Sequence, residues 1–528
     1  MNNTYRQKIY LAALLHDIGK FYQRASNNRN QEGNNLSNQS RNIENLICPS
    51  YNNKLSHLHS VWTNEFFEKF ETKFGQVKDA ELKVNKWTND NFKQDNIANL
   101  ASNHHLPQSD FQKIIQIADW WSAGIDRGDS SNEDDDINLK HSLKFNDFRD
   151  VPLFSIFNQI MIWDKEHVGN PNIAFPLTEL QIDKNKIFPN EIKQDDISKL
   201  QNQYAELWKK FETDFEKLPT GSFESFESSL LHLLRKYTWA IPSNTMDMAN
   251  VSLFDHLKTT AAIADCLYLA KNDVQYSEAF NYDGKYGSVN AGYYPVMLVG
   301  VDLSGIQSFI YDIASSKAAK SLKGRSFYLQ LLAEAMLNKF KTNKNINAKS
   351  AHVLYSSGGK FYLLLPNTQT VKNAIEEIKK EVERELWSLH KGKISINIDS
   401  VAFAYRNNYA EKQNWLEIED YKQEKKQLKD LWKLLADKIT KQKEQKFKSL
   451  LISEETFNEF FNEKNEKLAV GGNVEICAVT GEELNETNIE IYNKEDVKNN
   501  RDIEKKYTTK EVLEQTELGK KLKDADFI

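Results

Sequence analysis

Apolar and polar positions alternate at several different periods along the chain, and each change of period predicts a change of element. Residues 5–24 repeat apolar side chains at helical spacing and predict one amphipathic helix. Residues 25–45, rich in Asn, Gln and Ser, read as a mobile loop. Helical periodicity returns over residues 57–74 and continues through Ile97–His105 and Asp110–Ser122, so residues 1–127 read as one all-helical module. An acidic loop, Gly128–Asp136, closes it. Residues 128–290 read as a helical connecting region, with helices at Ser198–Leu218, Phe223–Trp239 and Leu253–Ala270 and breaks at Pro152, Pro171, Pro176 and Pro189.

A different pattern begins near residue 291. Pro295–Leu303 is apolar and β-rich, Gly305–Ile313 and Lys317–Phe340 read as helices, and Ala351–Ser356 and Phe361–Leu365 flank a Gly358-Gly359 turn. A helix at Val371–Leu389 and a strand at Ile394–Tyr405 complete a β-α-β-β-α-β order, predicting a ferredoxin-like or palm unit over residues 291–408. Residues 409–464 are highly charged with a Leu/Trp stripe, which predicts helices packed on a neighbour. The last 50 residues are polar and poorly periodic, so 409–528 reads as a mostly helical linking segment. The fold class is α+β.

Composition narrows the function classes. No run of about 18 apolar residues occurs, so no membrane span is expected. The first apolar stretch is interrupted by His16 and Asp17 and has no small-residue cleavage site, so it reads as a retained helix. Cys48, Cys266 and Cys477 lie far apart, which supports neither a disulfide framework nor a Cys-only zinc site and fits a reducing cytoplasm. The net charge of −6 means that any nucleic-acid binding comes from local basic surface or from partner subunits.

Five of the eleven histidines fall within the first 105 residues: His16, His57, His59, His104 and His105. His16-Asp17 is followed by Gly19-Lys20, and Asp119 lies downstream in a further predicted helix. Imidazole and carboxylate together form the mixed ligand set of divalent transition metals, which acidify water and polarise phosphoryl groups. Lys20, one turn from His16, is placed to neutralise a phosphate. Taken singly, a histidine on an apolar helix is a hydrogen-bonded core residue more often than a ligand. The pairing of H-D-x-G-K with a downstream His-His and an Asp favours the metal reading.

These motifs (H-D-I-G-K, S-H-L-H-S-V-W-T, A-S-N-H-H and I-A-D-W-W-S-A-G-I-D-R) resemble the HD nuclease domain of the large subunit of type III-A CRISPR (Csm) effector complexes. The resemblance implies degradation of single-stranded DNA with a divalent transition metal (Mn, Ni or Co), in a cytoplasmic complex that binds guide RNA and target RNA. It implies His16, Asp17, His59, His104 and Asp119 as metal ligands. His57 and His105 are the other members of their pairs, and sequence does not decide which of each pair faces the metal. Trp120-Trp121 departs from the small or basic residue expected after the Asp. His256 lies in a helix that also resembles one of the HD superfamily, and packing is the favoured reading for it.

The segment Val301–Ile313 places Asp302 at a strand end and Ser304-Gly305 at a helix start, where free amides suit a phosphate. The hairpin Ser356–Lys360 should lie beside it. A catalytic palm has acidic residues at this hairpin, whereas this chain has Lys360 and Phe361, and Asp302 alone cannot hold two metals. On pattern alone, Gly358-Gly359 is a plain tight turn and Asp302 a strand-end cap. These segments also resemble the first palm of the same CRISPR subunit, as do Ser315–Leu332 and Ser252–Leu269. That implies ATP with Mg at Asp302, Ser304, Gly305, Gly358 and Gly359, without catalysis. Lys317, Lys320, Lys323 and Arg325 are candidates for phosphate or RNA contact, or form a solvated basic helix start. Family members carry paired Cys motifs that bind zinc; Cys477 alone remains here, so no zinc is expected. The Gly-Gly-Asp-Asp motif of the second palm, the source of cyclic oligoadenylate in the family, does not occur in these residues. A phosphohydrolase of small nucleotides and a non-catalytic scaffold for the guide RNA are the rival expectations.

Overall fold

The computed structural model describes residues 3–26, 36–84, 94–127, 145, 147–159, 172–245, 249–272, 292–313, 318–408, 413–422, 424–452, 454, 457–458, 475–484, 489–500 and 502–522. The acidic stretch 128–136, residues 27–35 of the Asn-rich segment and Lys317 lie outside the described residues.

The single helix expected over residues 5–24 is two: α1 (Asn3–Leu15) and α2 (Ile18–Ala25), separated at His16-Asp17. Nor is α1 amphipathic along its length. Ile9 through Leu15 are fully buried, because other helices cover it on all sides. Next come α3 (His59–Lys69), α4 (Ile97–Ser102) and α5 (Asp110–Arg127). Helices α6 (Leu200–Phe215), α7 (Phe223–Thr238) and α8 (Leu253–Lys271) follow. These last three were expected in a connector. They pack in one continuous hydrophobic core that holds α1–α5 and also extends to residues 296–450. Phe66, Phe74 and Phe70 on one side interlock with Phe211, Phe215 and Phe226 on the other. Nearly every residue of α8 is buried, and it packs on both α1 and α5. A helix that apolar can only be stable with neighbours around its whole circumference, and residues 350–366 cover it as well.

The sheet consists of β1 (Val296–Ser304), β2 (Val353–Ser357), β3 (Lys360–Pro366), β4 (Ser395–Asn408) and β5 (Gln413–Ile418) in the order β2-β3-β1-β4-β5. All neighbours are antiparallel, and Asp302 sits opposite Lys360 on one side and Asn397 on the other. Helices α9 (Ile306–Tyr311) and α10 (Ala318–Thr342) link β1 to β2, and α11 (Gln369–His390) links β3 to β4. The charged stretch after β5 forms α12 (Leu428–Lys443), whose Leu431, Leu435 and Ile439 are buried. It lies over β1 at Gly300, where a Cβ would come within 2.5 Å of Ile439 Cδ1. Residues 300 and 302 share a strand face, so α12 covers the face that carries Asp302.

The described residues among the last 50 carry more regular structure than their polarity predicts. Helix α13 (Lys510–Lys521) packs along α10. The backbones meet at two glycines: a Cβ on Gly324 would lie 1.8 Å from the Gln515 carbonyl oxygen, and one on Gly519 would lie 2.1 Å from that of Lys320. Small residues permit that approach, and helical periodicity in apolar side chains does not report it. Among the described residues no helix is long and apolar enough to cross a membrane.

Candidate metal centre

Three helices, the break between two others and the segment after α4 deliver imidazoles and carboxylates to one buried point. His16 and Asp17 come from the α1–α2 break, His59 from the first turn of α3, His104 and His105 from just beyond α4, and Asp119 from α5. His256 comes from the first turn of α8. Asp17 joins two groups. One is His16, Asp17, Asp119 and His256; the other is Asp17, His59, His104 and His105; within each, the ligand atoms lie within 4.8 Å of one another. Asp17 Oδ2 is 3.4 Å from Nε2 of both His16 and His256. Its Oδ1 is 3.0 Å from His59 Nε2 and 3.6 Å from His104 Nε2. Asp119 Oδ1 is 3.1 Å from His256 Nε2 and 3.5 Å from His16 Nε2.

The outer ring nitrogens are held from behind. His16 Nδ1 is 2.8 Å from the Ala13 carbonyl oxygen, and His104 Nδ1 is 2.6 Å from that of Ala101. A carbonyl only accepts, so each ring carries a proton on Nδ1 and turns its Nε2 inward. His256 Nδ1 lies 3.1 Å from Ser122 Oγ, one turn beyond Asp119 on α5. Nε2 of His16, Nε2 of His104 and Oδ1 of Asp17 are buried without a hydrogen-bond partner. Buried polar atoms left in that state are costly, and together with the donor set they fit a divalent cation.

The electrostatics divide the rings: burial opposes the charge on His16, yet Asp17 and Asp119 beside it push that imidazole above its ordinary range, whereas three other rings go the opposite way. Burial pushes the imidazolium forms of His104, His105 and His59 down, His104 to about 3, which leaves neutral rings. Burial opposes the charge on Asp17 and Asp119, yet Lys20, His16 and His59 hold Asp17, and His16 and His256 hold Asp119, well below the usual carboxylate range. Neutral imidazoles and ionised carboxylates are the ligating forms.

His105 reaches this group through Nε2, 3.0 Å from His59 Nε2. His57 is exposed, has φ of +58° and lies tilted against His105 with ring centroids 3.9 Å apart. It belongs to neither group of candidate ligands. Lys20 Nζ is 2.5 Å from Asp17 Oδ2 and donates to the Ser243 carbonyl oxygen at 3.0 Å. His256 is the member that sequence reasoning assigned to packing. The available signal was a lone imidazole on an otherwise apolar helix, since a buried polar ring requires polar company.

At the sheet, Asp302 is buried and paired with Lys443 of α12 at 2.6 Å and with Lys360 at 3.9 Å. Ser304 Oγ accepts from Asn397 Nδ2 at 2.8 Å. Gly305, Gly358 and Gly359 adopt positive φ of 91°, 62° and 78°. A Cβ on Gly305 would lie 1.9 Å from the Lys393 carbonyl oxygen, so that position requires glycine for packing as well as for conformation. Lys320 and Lys323 are exposed. Arg325, a candidate for phosphate contact, is instead 2% exposed and donates to the carbonyl oxygens of Phe309 and Asp312. It ties α9 to α10 and is not available to a ligand.

Comparison with known proteins places these features in a family. The HD domain model matches residues 2–124, and the model of Csm1 subunit domain B matches residues 295–464. The CRISPR system single-strand-specific deoxyribonuclease Cas10/Csm1 (subtype III-A) of Methanocaldococcus jannaschii is 30% identical over 423 residues, covering 74% of this chain and 45% of the relative. Its namesake from Enterococcus italicus is 32% identical over 357 residues, 66% of this chain and 43% of the relative. The chain belongs to the Cas10/Csm1 family. It spans less than half the length of these two relatives. The fold is also Csm1-like. A Csm1–Csm4 cassette in complex with AMPPNP superposes with a TM-score of 0.52 at 21% identity, covering 86% of this chain and 50% of that one. Csm1 of T. onnurineus does so with a TM-score of 0.52 at 20% identity, covering 84% and 49%. His256 lies outside the residues matched by the HD model.

Proposed function

We propose that this Cas10/Csm1 chain carries a metal-dependent nuclease that cleaves single-stranded DNA, acting within a Csm effector complex with guide RNA and target RNA in the cytoplasm. What supports it is the convergence of His16, Asp17, Asp119 and His256 on one side and His59, His104 and His105 on the other, with Asp17 common to both. These seven residues are the proposed ligands, and the exposed His57 is not one. A divalent transition ion such as Mn, Ni or Co held there supplies Lewis-acid chemistry, polarising a phosphoryl oxygen and acidifying water.

The chain's own residues do the rest. Carbonyls of Ala13 and Ala101 fix the tautomers of His16 and His104, so both rings stay aimed inward. Lys20, half-buried and tethered to Ser243, places a positive charge where a phosphodiester would approach Asp17. Burial excludes bulk water and strengthens each of these electrostatic contacts. Labelled single-stranded DNA with Mn2+ tests the proposal. Cleavage should vanish in Asp17→Ala and His256→Ala. Equal cleavage by wild type and Asp17→Ala rejects it, and turnover of small nucleotides without DNA cleavage favours a nucleotide phosphohydrolase.

The second module is proposed to be a ferredoxin-like palm that binds ATP without catalysis. The strand order β2-β3-β1-β4 supports this, with Ser304, Gly305, Gly358 and Gly359 gathered beside Asp302. Lys443 and Lys360 sit against that carboxylate where a catalytic palm would hold metal, so the face favours phosphate over a second cation. Cyclic oligoadenylate is not expected from ATP and target RNA with this chain as the only palm. Its formation would contradict the assignment.

A further inference from the structure

We propose that Thr63 is a positioning residue for the metal centre, a single hydroxyl that locks the helix break at His16–Asp17 onto the helix carrying His59. The inference rests on the metal reading above and assigns a residue outside the ligand set.

The break itself needs an explanation. In a continuous helix the carbonyl of residue 16 would accept from the amide of residue 20, and the amide of residue 19 would donate to the carbonyl of residue 15. Here the Lys20 amide donates to the Asp17 carbonyl oxygen instead, at 3.0 Å. The His16 carbonyl is released, in a place without solvent: His16 and Thr63 are both fully buried. Thr63 resolves both ends of the break. Its Oγ1 donates to the His16 carbonyl oxygen at 2.8 Å and accepts from the Gly19 amide at 3.1 Å. One hydroxyl therefore caps the end of α1 and the start of α2 from a third helix.

That third helix is α3, and Thr63 lies one turn after His59 on it, on the same face. Gly19 makes the approach possible. A Cβ there would fall 2.0 Å from the His59 carbonyl oxygen and 2.5 Å from the Thr63 amide nitrogen, both backbone atoms. The backbone of the H-D-I-G-K turn thus rests directly on the backbone of the His59 turn. The consequence is geometric. Adjacent side chains on an unbroken helix diverge by about 100°, whereas His16 Nε2 and Asp17 Oδ2 converge to 3.4 Å while Asp17 Oδ1 reaches His59 Nε2 at 3.0 Å. Thr63 touches none of these ligand atoms. It acts on the backbone that aims them.

Thr63→Val keeps the shape and removes the hydroxyl, while Thr63→Ser keeps the hydroxyl. Mn2+ affinity is measured by titration calorimetry on the full chain, alongside melting without metal, for wild type, both variants and Asp17→Asn. The expected result is a loss of about tenfold or more in Mn2+ affinity for Thr63→Val, with Thr63→Ser close to wild type. A merely structural role would lower the melting temperature and leave the affinity of the folded protein unchanged. Wild-type affinity in Thr63→Val, or an equal loss in Thr63→Ser, overturns the assignment. Wild type and Asp17→Asn binding Mn2+ alike overturns the metal reading itself, so the two failures are distinct. If Thr63→Val does not fold, hydrogen exchange on wild type decides. Saturating Mn2+ should slow exchange of the Gly19 amide, and unchanged exchange there while Mn2+ binds through Asp17 overturns the proposal.

Discussion

Replacing Asp265 by Asn should destabilise the protein by about 3–5 kcal/mol, the cost of leaving one member of a buried ion pair without its partner. Asp265 is fully buried on α8. It accepts from Arg6 Nε at 2.9 Å and from Arg6 Nη2 at 2.7 Å, and His352 Nε2 lies 3.1 Å away. Arg6 belongs to α1 and His352 to the segment leading into β2, so three parts of the chain meet at this carboxylate. Two unit charges about 4 Å apart attract by about 4 kcal/mol at an effective dielectric of about 20, which agrees with the range above. The Arg6–Asp265 pair also fixes the far end of α8. His256 precedes Asp265 by nine residues, about 13 Å along the helix. Urea unfolding of wild type and Asp265→Asn gives the stability difference, and the double variant Arg6→Met/Asp265→Leu completes the test. Because the double variant removes both charges, it should recover most of the loss. A single variant within about 1 kcal/mol of wild type, or a double variant no better than the single, would refute the reasoning.

The same carboxylate gives a pH dependence. Burial opposes its charge, but Arg6 and then His352 hold its pKa far below the usual range. A depressed folded pKa means that the stabilisation is complete above the unfolded value of about 3.9 and declines as pH falls toward the folded value. Stability below about pH 4 should therefore fall more steeply in wild type than in Asp265→Asn, by at most about 1.4 kcal/mol per pH unit; parallel curves would count against it. His256→Ala should lower Mn2+ affinity by about tenfold or more, as His16→Ala does, while His57→Ala leaves it close to wild type. Calorimetric titration separates these outcomes, and equal affinities for His256→Ala and wild type would remove His256 from the ligand set. Gly519→Val places a branched side chain where a Cβ already meets the Lys320 carbonyl oxygen at 2.1 Å. Helix α13 should detach, and limited proteolysis should cleave within residues 475–522 faster than in wild type with Mn2+ affinity unchanged.

Much of this was legible in the sequence because it is local. The strands β1, β3 and β4 announce themselves as apolar runs bounded by turns, and α3, α5, α6 and α7 as helical repeats. The H-D-I-G-K and His-His motifs are short enough to read directly. What stayed hidden depends on contacts between segments far apart. Arg325 sits in a basic run that looks like a phosphate site, yet the carbonyls of Phe309 and Asp312 claim it. The break between α1 and α2 leaves no mark of its own, since neither Pro nor a helix-stopping pattern precedes Asp17. It exists because a hydroxyl from another helix accommodates it.

His256 shows the same dependence most fully. The signals near it in sequence are weak, a lone imidazole on an apolar helix, and it lies outside the residues matched by the HD model. Its place beside His16 and Asp17 follows from how α8 lies against α1. Asp265 meets Arg6 near the start of α1, and His256 meets His16 and Asp17 at its end. The two helices therefore run antiparallel and are pinned at both ends, over 9 residues of α8 and 10 or 11 residues of α1 and the turn that follows it. At 1.5 Å per residue these spans are both about 13–16 Å, so the ion pair at one end sets the axial register in which the imidazole arrives at the other. An all-apolar α8 could slide along α1 with little change in buried area, because hydrophobic burial is non-directional. The charged pin removes that freedom. A helix built to support a core thereby delivers a polar ring to a centre assembled from residues more than a hundred positions away.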